Sequence, residues 1–328
     1  MATNNPSIEF KLDLKDRKIL YELDSDARQP CSKIAKRVGL STEVVNYRIK
    51  RLEEEGIITQ YQCVLNLSKL GIRQFKICLS FQHLSPIRLE EIIGKLKKIS
   101  YAKWIVSCKS NWDLIISLET KSIEEIDSIK NAILSLFEGY INKKAISICT
   151  EASTFNRNYL LENKNYLERE RILVNSDKEI KLEEIDLEIL KKLSENARKP
   201  LIDIASELKK SPRIIDYRMK QMIKYKIVTG FRIALNYKKL NLQFYKTFIY
   251  LDNPKQERVN KLIKYFQAHK NIIHHVRVIG NWDLEPEFEV YSEAEFDKII
   301  NDLKQEFSDI IKNIEIITIS KEHKFVYF

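Results

Sequence analysis

Ser107–Glu119 reads SCKSNWDLIISLE, and Val278–Glu289 reads VIGNWDLEPEFE. The shared Asn-Trp-Asp-Leu lies 170 positions apart, and the same shift aligns much of the chain without a gap. It carries Asp16 to Asp186, Ile19-Leu20 to Ile189-Leu190, Ala27-Arg28 to Ala197-Arg198, and Pro30 to Pro200. It continues through Ile34-Ala35, Ser41, Tyr47-Arg48, Ile57, Thr59, Asn66 and Leu70, which fall on Ile204-Ala205, Ser211, Tyr217-Arg218, Ile227, Thr229, Asn236 and Leu240. A single register held this long means that one structural unit is present twice.

Each unit opens with three short helices. Asp13 stands before Leu14, Ile19, Leu20 and Leu23 at helical spacing, SKIAKRV supplies a second helix, and Ser41 caps a third. The third helix carries an apolar stripe of Val45, Ile49 and Leu52, and the second copy has Ile215, Met219 and Met222. Ser211-Pro212 is a strong start signal, because proline at the first helical position gives up an N–H that had no partner there. This is a helix-turn-helix with an exposed third helix, and a hairpin is expected after it. A helical interaction module would share the stripe. Charge separates the two readings: Lys209 to Arg232 holds eight bases (Lys209, Lys210, Arg213, Arg218, Lys220, Lys224, Lys226, Arg232) and one acid, Asp216, as expected for phosphate contact.

The rest of each unit alternates strand, helix, strand, strand, helix, strand, from QFKICLSFQ to KKAISICT and from KTFIYL to IEIITIS. A βαββαβ ferredoxin-like sandwich is implied. The expected class is therefore α+β, with two copies of a winged helix-turn-helix followed by a ferredoxin-like sandwich. The boundaries are residues 1–66, 67–152, 181–236 and 237–328, with a helical connector at 153–180.

Across 328 residues the chain is 44% apolar, with 56 Lys+Arg against 46 Asp+Glu. The resulting net charge of +10 suits an acidic partner. No signal peptide or membrane span is legible, which places the protein in the cytoplasm with no membrane partner. The five cysteines Cys31, Cys63, Cys78, Cys108 and Cys149 lack C-x-x-C spacing, and the 170-residue shift lands each on an apolar residue. They read as core packing, with no metal and no cofactor expected.

The run LDLKDRKILYELDSDARQPCSKIAKRVGLSTEVVNYRIKRLEEEGIITQY, followed by βαββαβ and a Gly/Ser-x-Trp-Asp turn, resembles the Lrp/AsnC transcription regulators of bacteria and archaea. The resemblance covers nearly the whole chain, twice, as a tandem duplication of archaeal type. It implies a non-enzymatic regulator that binds double-stranded DNA, pairs its sheets as a homodimer or a pseudo-dimer within the chain, and takes a small-molecule effector such as an amino acid. The DNA-binding candidates are Thr42, Glu43, Asn46, Tyr47, Arg48, Lys50 and Arg51 in one copy. In the other they are Arg213, Asp216, Tyr217, Arg218, Lys220 and Lys224. The effector candidates are Gly280, Asn281, Trp282 and Asp283, since the matching glycine is Ser110 in the first copy. Gly56 becomes Lys226, so the second head should lose an easy left-handed helix stop.

One strand breaks the pattern. LIISLE in the first copy is LEPEFE in the second, which puts Glu285, Glu287 and Glu289 on one strand face beside Pro286. An ionic network at a sheet-to-sheet interface, with His275, Arg277 and Lys246 as partners, is the favoured account. A polar effector or metal pocket is a second, and proton chemistry a third. Siroheme decarboxylases resemble the same two-domain family, which makes His274, His275 and Arg277 the residues of an alternative, enzymatic reading.

Overall fold

The computed structural model describes residues 12–161 and 170–326. In the first head, α1 (Leu14–Ser25), α2 (Cys31–Val38) and α3 (Thr42–Glu54) precede strand β1 (Ile58–Leu65). The capping expectations hold: Asp13 and Asp16 form a reciprocal box at α1, and Ser41 Oγ accepts from Val44 N at α3. The first ferredoxin-like unit is β2 (Arg73–Phe81), α4 (Pro86–Lys97), β3 (Ala102–Lys109), β4 (Leu114–Thr120), α5 (Glu124–Ser135) and β5 (Ile141–Phe155). After β6 (Glu170–Val174), the second head runs α6 (Glu184–Glu195), α7 (Leu201–Glu207), α8 (Pro212–Lys224) and β7 (Val228–Leu235). The second unit is β8 (Gln243–Leu251), α9 (Gln256–Ala268), β9 (Ile272–Ile279), β10 (Glu287–Val290), α10 (Glu293–Glu306) and β11 (Ile311–Phe325).

The two units close on each other within one chain. The long strand β5 pairs with β2 of its own unit over its first half and with β9 of the other unit over its second half. Strand β11 does the same with β8 and then β3. With β2–β4, β4–β3, β8–β10 and β10–β9 the pairings make a ring of eight strands, to which β6 is added beside β5. Closure leaves few edges, which removes the aggregation hazard of two open sheets. Helices cover the outside over two apolar clusters, one around Ile92, Leu96 and Phe137 and the other around Leu262, Phe288 and Phe296. The inner face joins the heads in a third cluster.

The repeated Asn-Trp-Asp-Leu belongs to this closure. Trp112 and Trp282 are both buried, with ring centroids 6.3 Å apart in an edge arrangement, and Trp282 stacks on Phe248 at 3.7 Å. Asp113 accepts from Phe81 N at 2.7 Å and Asp283 from Leu251 N at 2.7 Å, so each aspartate fastens the turn to the end of the neighbouring strand. The heads are joined just as reciprocally. Arg28 donates to the carbonyls of Ala197 and Lys199, and Arg198 donates to that of Ala27.

Three expectations need correction. No hairpin follows the third helix: β1 of one head pairs antiparallel with β7 of the other, so the wing is a strand shared between copies. The connector is not helical over its described residues. Position 155 ends β5, Asn158–Leu160 is a single 3-10 turn, and β6 adds to β5; residues 162–169 lie outside the described residues. Finally, the second-copy strand is broken at Pro286, so that only Glu287–Val290 is a strand and Leu284 makes isolated bridges. Of the cysteines, four are buried and Cys31 is half-buried, its sulfur accepting from Arg198 at 3.0 Å.

Lys226 keeps the left-handed turn that Gly56 makes in the other head, with φ of 56° against 62°. An L residue there is strained by about 1 kcal/mol relative to glycine. Lys226→Gly should therefore stabilise the protein by about 1 kcal/mol in urea denaturation. A loss of stability would mean that the lysine side chain contributes more than its backbone costs.

Candidate nucleic-acid interface and the polar barrel interior

The third helix of each head buries its predicted stripe (Val45, Ile49 and Leu52; Ile215, Met219 and Met222) and turns its opposite face outward. On α3, Glu43, Asn46, Tyr47 and Lys50 are exposed and Thr42 is half-buried. On α8, Arg213, Tyr217, Lys220 and Lys224 are exposed; Asp216 is half-buried and pairs with Lys220 at 2.6 Å. Tyr47 and Tyr217, equivalent under the repeat, are 66% and 58% exposed on the outward faces of α3 and α8.

The arginines assigned to DNA contact have another task. Arg48 bonds Asp13 at 2.7 Å and Asp16 at 2.8 Å, and Arg51 bonds Asp16 at 2.7 Å. Arg218 bonds Asp186 and Glu183 in the same way. These guanidiniums clamp the third helix to the first over a nearly buried aspartate, which explains why Asp16/Asp186 and Arg48/Arg218 recur together. Arg232 is likewise buried, bonded to Asp24. Six bases of the second-head cluster therefore stay exposed: Lys209, Lys210, Arg213, Lys220, Lys224 and Lys226. In the first head the sequence reading missed Lys33 and Lys36, exposed on α2, the helix that crosses the DNA backbone in this motif. The repeat comparison carried that signal, since their counterparts are Asp203 and Ser206.

Inside the ring lies the ionic network the carboxylates required. Lys76 and Lys246, equivalent under the repeat, both reach Glu285, and Lys246 also reaches Glu287 at 2.9 Å. Trp282 Nε1 donates to Glu285 at 2.8 Å. Burial alone would raise the Glu285 carboxyl, but the two ammoniums hold it well below the usual range. Glu289 is met by Arg157 at 2.8 Å and by the Tyr159 hydroxyl. Lys246 was anticipated; Lys76 and Arg157 were not.

His275 and Arg277 do not join the network. His275 packs against Phe266, its ring centroid 5.3 Å away, and burial depresses its pKa to about 3. Arg277 faces outward toward Glu151 at 3.8 Å. His274 pairs in register with Glu287 and lines a cavity of about 110 Å³, its pKa lowered by burial to about 4. The three residues of the enzymatic reading are thus spread over different surroundings.

At the turn, Gly280 is fixed by protein packing: a Cβ there would lie 3.1 Å from both Ile146 O and the Ser147 Cβ of β5. The close approach that glycine permits is that of the first unit's own backbone. Gly280, Asn281 and Asp283 are exposed and Trp282 is buried; Trp282 and Asp283 have the structural contacts given above.

Two exposed third helices on a shared strand pair, above a closed double sandwich, define a two-headed DNA-binding scaffold. A winged helix-turn-helix DNA-binding family model matches residues 12–59. The chain is 32% identical over 120 residues to the uncharacterized HTH-type transcriptional regulator PH1916 of Pyrococcus horikoshii, covering 36% of this chain and 79% of that one. It is 32% identical over 123 residues to the HTH-type transcriptional regulator LrpA of the same organism, covering 37% and 86%. It belongs to the Lrp/AsnC family of HTH-type transcriptional regulators. Among solved structures, the siroheme decarboxylase NirDL has a related fold over 95% of this chain and 93% of its own, at TM-score 0.62 and 13% identity.

Proposed function

We propose that this protein is a sequence-specific, DNA-binding transcription regulator, a tandem duplication of archaeal type that supplies both heads of a pseudo-dimer from one chain. The observation that carries this reading is the pair of third helices, capped and packed alike, with polar and aromatic faces left outward. Base reading falls to Thr42, Glu43, Asn46 and Tyr47 in one head and Arg213, Asp216 and Tyr217 in the other, with Arg213 suited to guanine and Asn46 to adenine. The bases are unevenly placed, so the heads read dissimilar half-sites. An amino-acid effector at the second-copy turn would touch Gly280 and Asn281, with Trp282 and Asp283 shaping the turn beneath it.

The decarboxylase reading keeps the fold in its favour. Against it stands the site: His274 faces a cavity far smaller than the roughly 300–1,000 Å³ of ordinary ligand pockets, and a larger one of about 680 Å³ has no histidine in its wall. The deciding experiment is selection from random duplex DNA with purified protein, coupled to an absorbance scan for bound tetrapyrrole. An asymmetric selected site and no tetrapyrrole band are expected. A perfect palindrome bound by single chains would overturn the two-head account, and tetrapyrrole with no DNA selection would overturn the regulator.

A further inference from the structure

The first helices of the two heads are seated differently on the barrel. Asp24, fully buried near the end of α1, accepts from Arg157 N at 2.8 Å, from Arg157 Nη1 at 2.7 Å and from Arg232 Nη2 at 3.0 Å. Arg157 reaches on to both carboxylate oxygens of Glu289 on β10, at 2.8 and 3.1 Å, and Arg232 donates to Thr154 on β5. Arg171 on β6 donates to the Asp24 and Ser25 carbonyls at 2.8 and 2.6 Å. Burial alone would raise the Asp24 carboxyl, but Arg232, Arg157 and Arg171 hold it below the ordinary carboxylate range. A buried ionic hub thus ties α1 to the strands beneath it.

Under the 170-residue shift Asp24 becomes Ser194 and Arg232 becomes Gln62. Ser194 Oγ donates back into its own helix, to Lys191 O at 2.7 Å, and Gln62 Nε2 is buried without a hydrogen-bond partner among the described residues. The counterparts of Arg157 and Arg171 are Tyr327 and Met1, neither side chain a guanidinium, and both lie outside the described residues. Toward the start of α1, Arg17 lies over the Tyr291 ring at 5.5 Å, whereas their counterparts Leu187 and Lys121 are both exposed. Leu187, Lys121 and Ser194 line the cavity of about 680 Å³ between α6 and the first ferredoxin-like unit.

We propose that Asp24, Arg157 and Arg232 are positioning residues that fix the first head on the barrel, and that the second head, seated over the cavity, tilts to meet half-sites at more than one spacing. Opening the first seat would separate desolvated charges, which is costly. Opening the second separates uncharged groups at the wall of a cavity, and a region held by few buried contacts opens more easily. The head that tilts is the one whose third helix carries the exposed bases, so it keeps hold of phosphate while its register adjusts. The link to spacing rests on the regulator reading; the unequal seating does not.

Amide hydrogen exchange of the full chain without DNA tests the seating. Corrected for intrinsic rates, the amides of Ile189–Leu193 should exchange about tenfold or more faster than those of Ile19–Leu23. Ser194→Asp with Gln62→Arg, which copies Asp24 and Arg232 into the second seat, should slow exchange in α6 about fivefold and leave α1 unchanged. Asp24→Ser with Arg232→Gln, which removes both partners, should bring α1 to within about threefold of α6. Equal exchange in the two wild-type helices, no slowing in the first double variant, or unchanged α1 in the second would overturn the seating. On duplexes carrying both selected half-sites at stepped spacings, the wild type should bind two or more neighbouring spacings within about threefold of each other. The Ser194→Asp, Gln62→Arg protein should accept one spacing with the base preferences of each half-site kept. A loss uniform over all spacings would mark a structural effect alone and overturn the link to spacing, while the exchange result stands. Failure to select any DNA would overturn the regulator reading and the spacing claim together, and the seating would still be judged by exchange.

Discussion

Lys246→Met should lower folding stability at pH 7 by about 3–5 kcal/mol, because it leaves Glu285 with one ammonium and Glu287 with none in a space closed to water. Breaking a buried ion pair from one side costs more than the pair contributes, since the remaining charge keeps its desolvation penalty. Removing both sides is different. Lys246→Met combined with Glu287→Met should recover more than half of the loss, and the first copy already shows uncharged residues, Ile115 and Ser117, at the positions of Glu285 and Glu287. The pH dependence has a fixed sign. The folded pKa of Glu285 lies below its unfolded value of 4.5, so its contribution is present above that pH and is lost on acidification. The gap between wild type and Lys246→Met should therefore narrow from pH 5 to pH 3, on the acid side of the unfolded value. Urea denaturation at the two pH values checks this, and a single-variant loss under about 1 kcal/mol would show that the network is dispensable.

Glu119 gives the opposite sign. Burial puts its folded pKa, about 8, above the unfolded 4.5, so the folded state binds the extra proton and stability falls as pH rises from about 4.5 to 8. Glu119→Gln should gain on wild type across that window. An advantage equal at pH 5 and pH 8 would place the ionisation outside it.

Lys220→Ala with Lys224→Ala should weaken DNA binding sharply at low salt and flatten the slope of log affinity against log salt by up to about 2, at about 0.9 per phosphate contact. Lys50→Ala should flatten it by no more than about 1. Six bases stay exposed around α8, whereas Lys50 stands among the exposed acids Glu43, Glu53, Glu54 and Glu55. The clamping arginines offer a control that the sequence could not provide. Arg218→Ala should leave the buried Asp186 without its guanidinium and reduce stability by about 2–4 kcal/mol, while the salt slope of the folded fraction changes little. Arg213→Ala should instead relax one base preference by about 1–3 kcal/mol and leave stability nearly unchanged. Equal slope changes from both heads would refute the unequal division of labour between them.

The sequence by itself determined the doubled architecture, the helix starts at Asp13, Ser41 and Ser211, and the buried stripes, because each depends on spacing along one element or on the fixed 170-residue shift. It also showed that three carboxylates in LEPEFE needed cations, and named Lys246. Only the tertiary structure decided which other cations answered. Lys76 lies 209 residues from Glu285 in the chain and Arg157 lies 132 from Glu289; both are brought there by the exchange of β5 and β11 between the units. The same holds for Arg48 and Arg218, whose charge and helical position suited phosphate equally well until the starts of α1 and α6, respectively, placed an acidic pair against each. Local spacing states that a charge needs a partner and on which face of its element it sits. The partner's identity is a property of which elements become neighbours, and in a closed ring of exchanged strands those neighbours come from the other half of the chain.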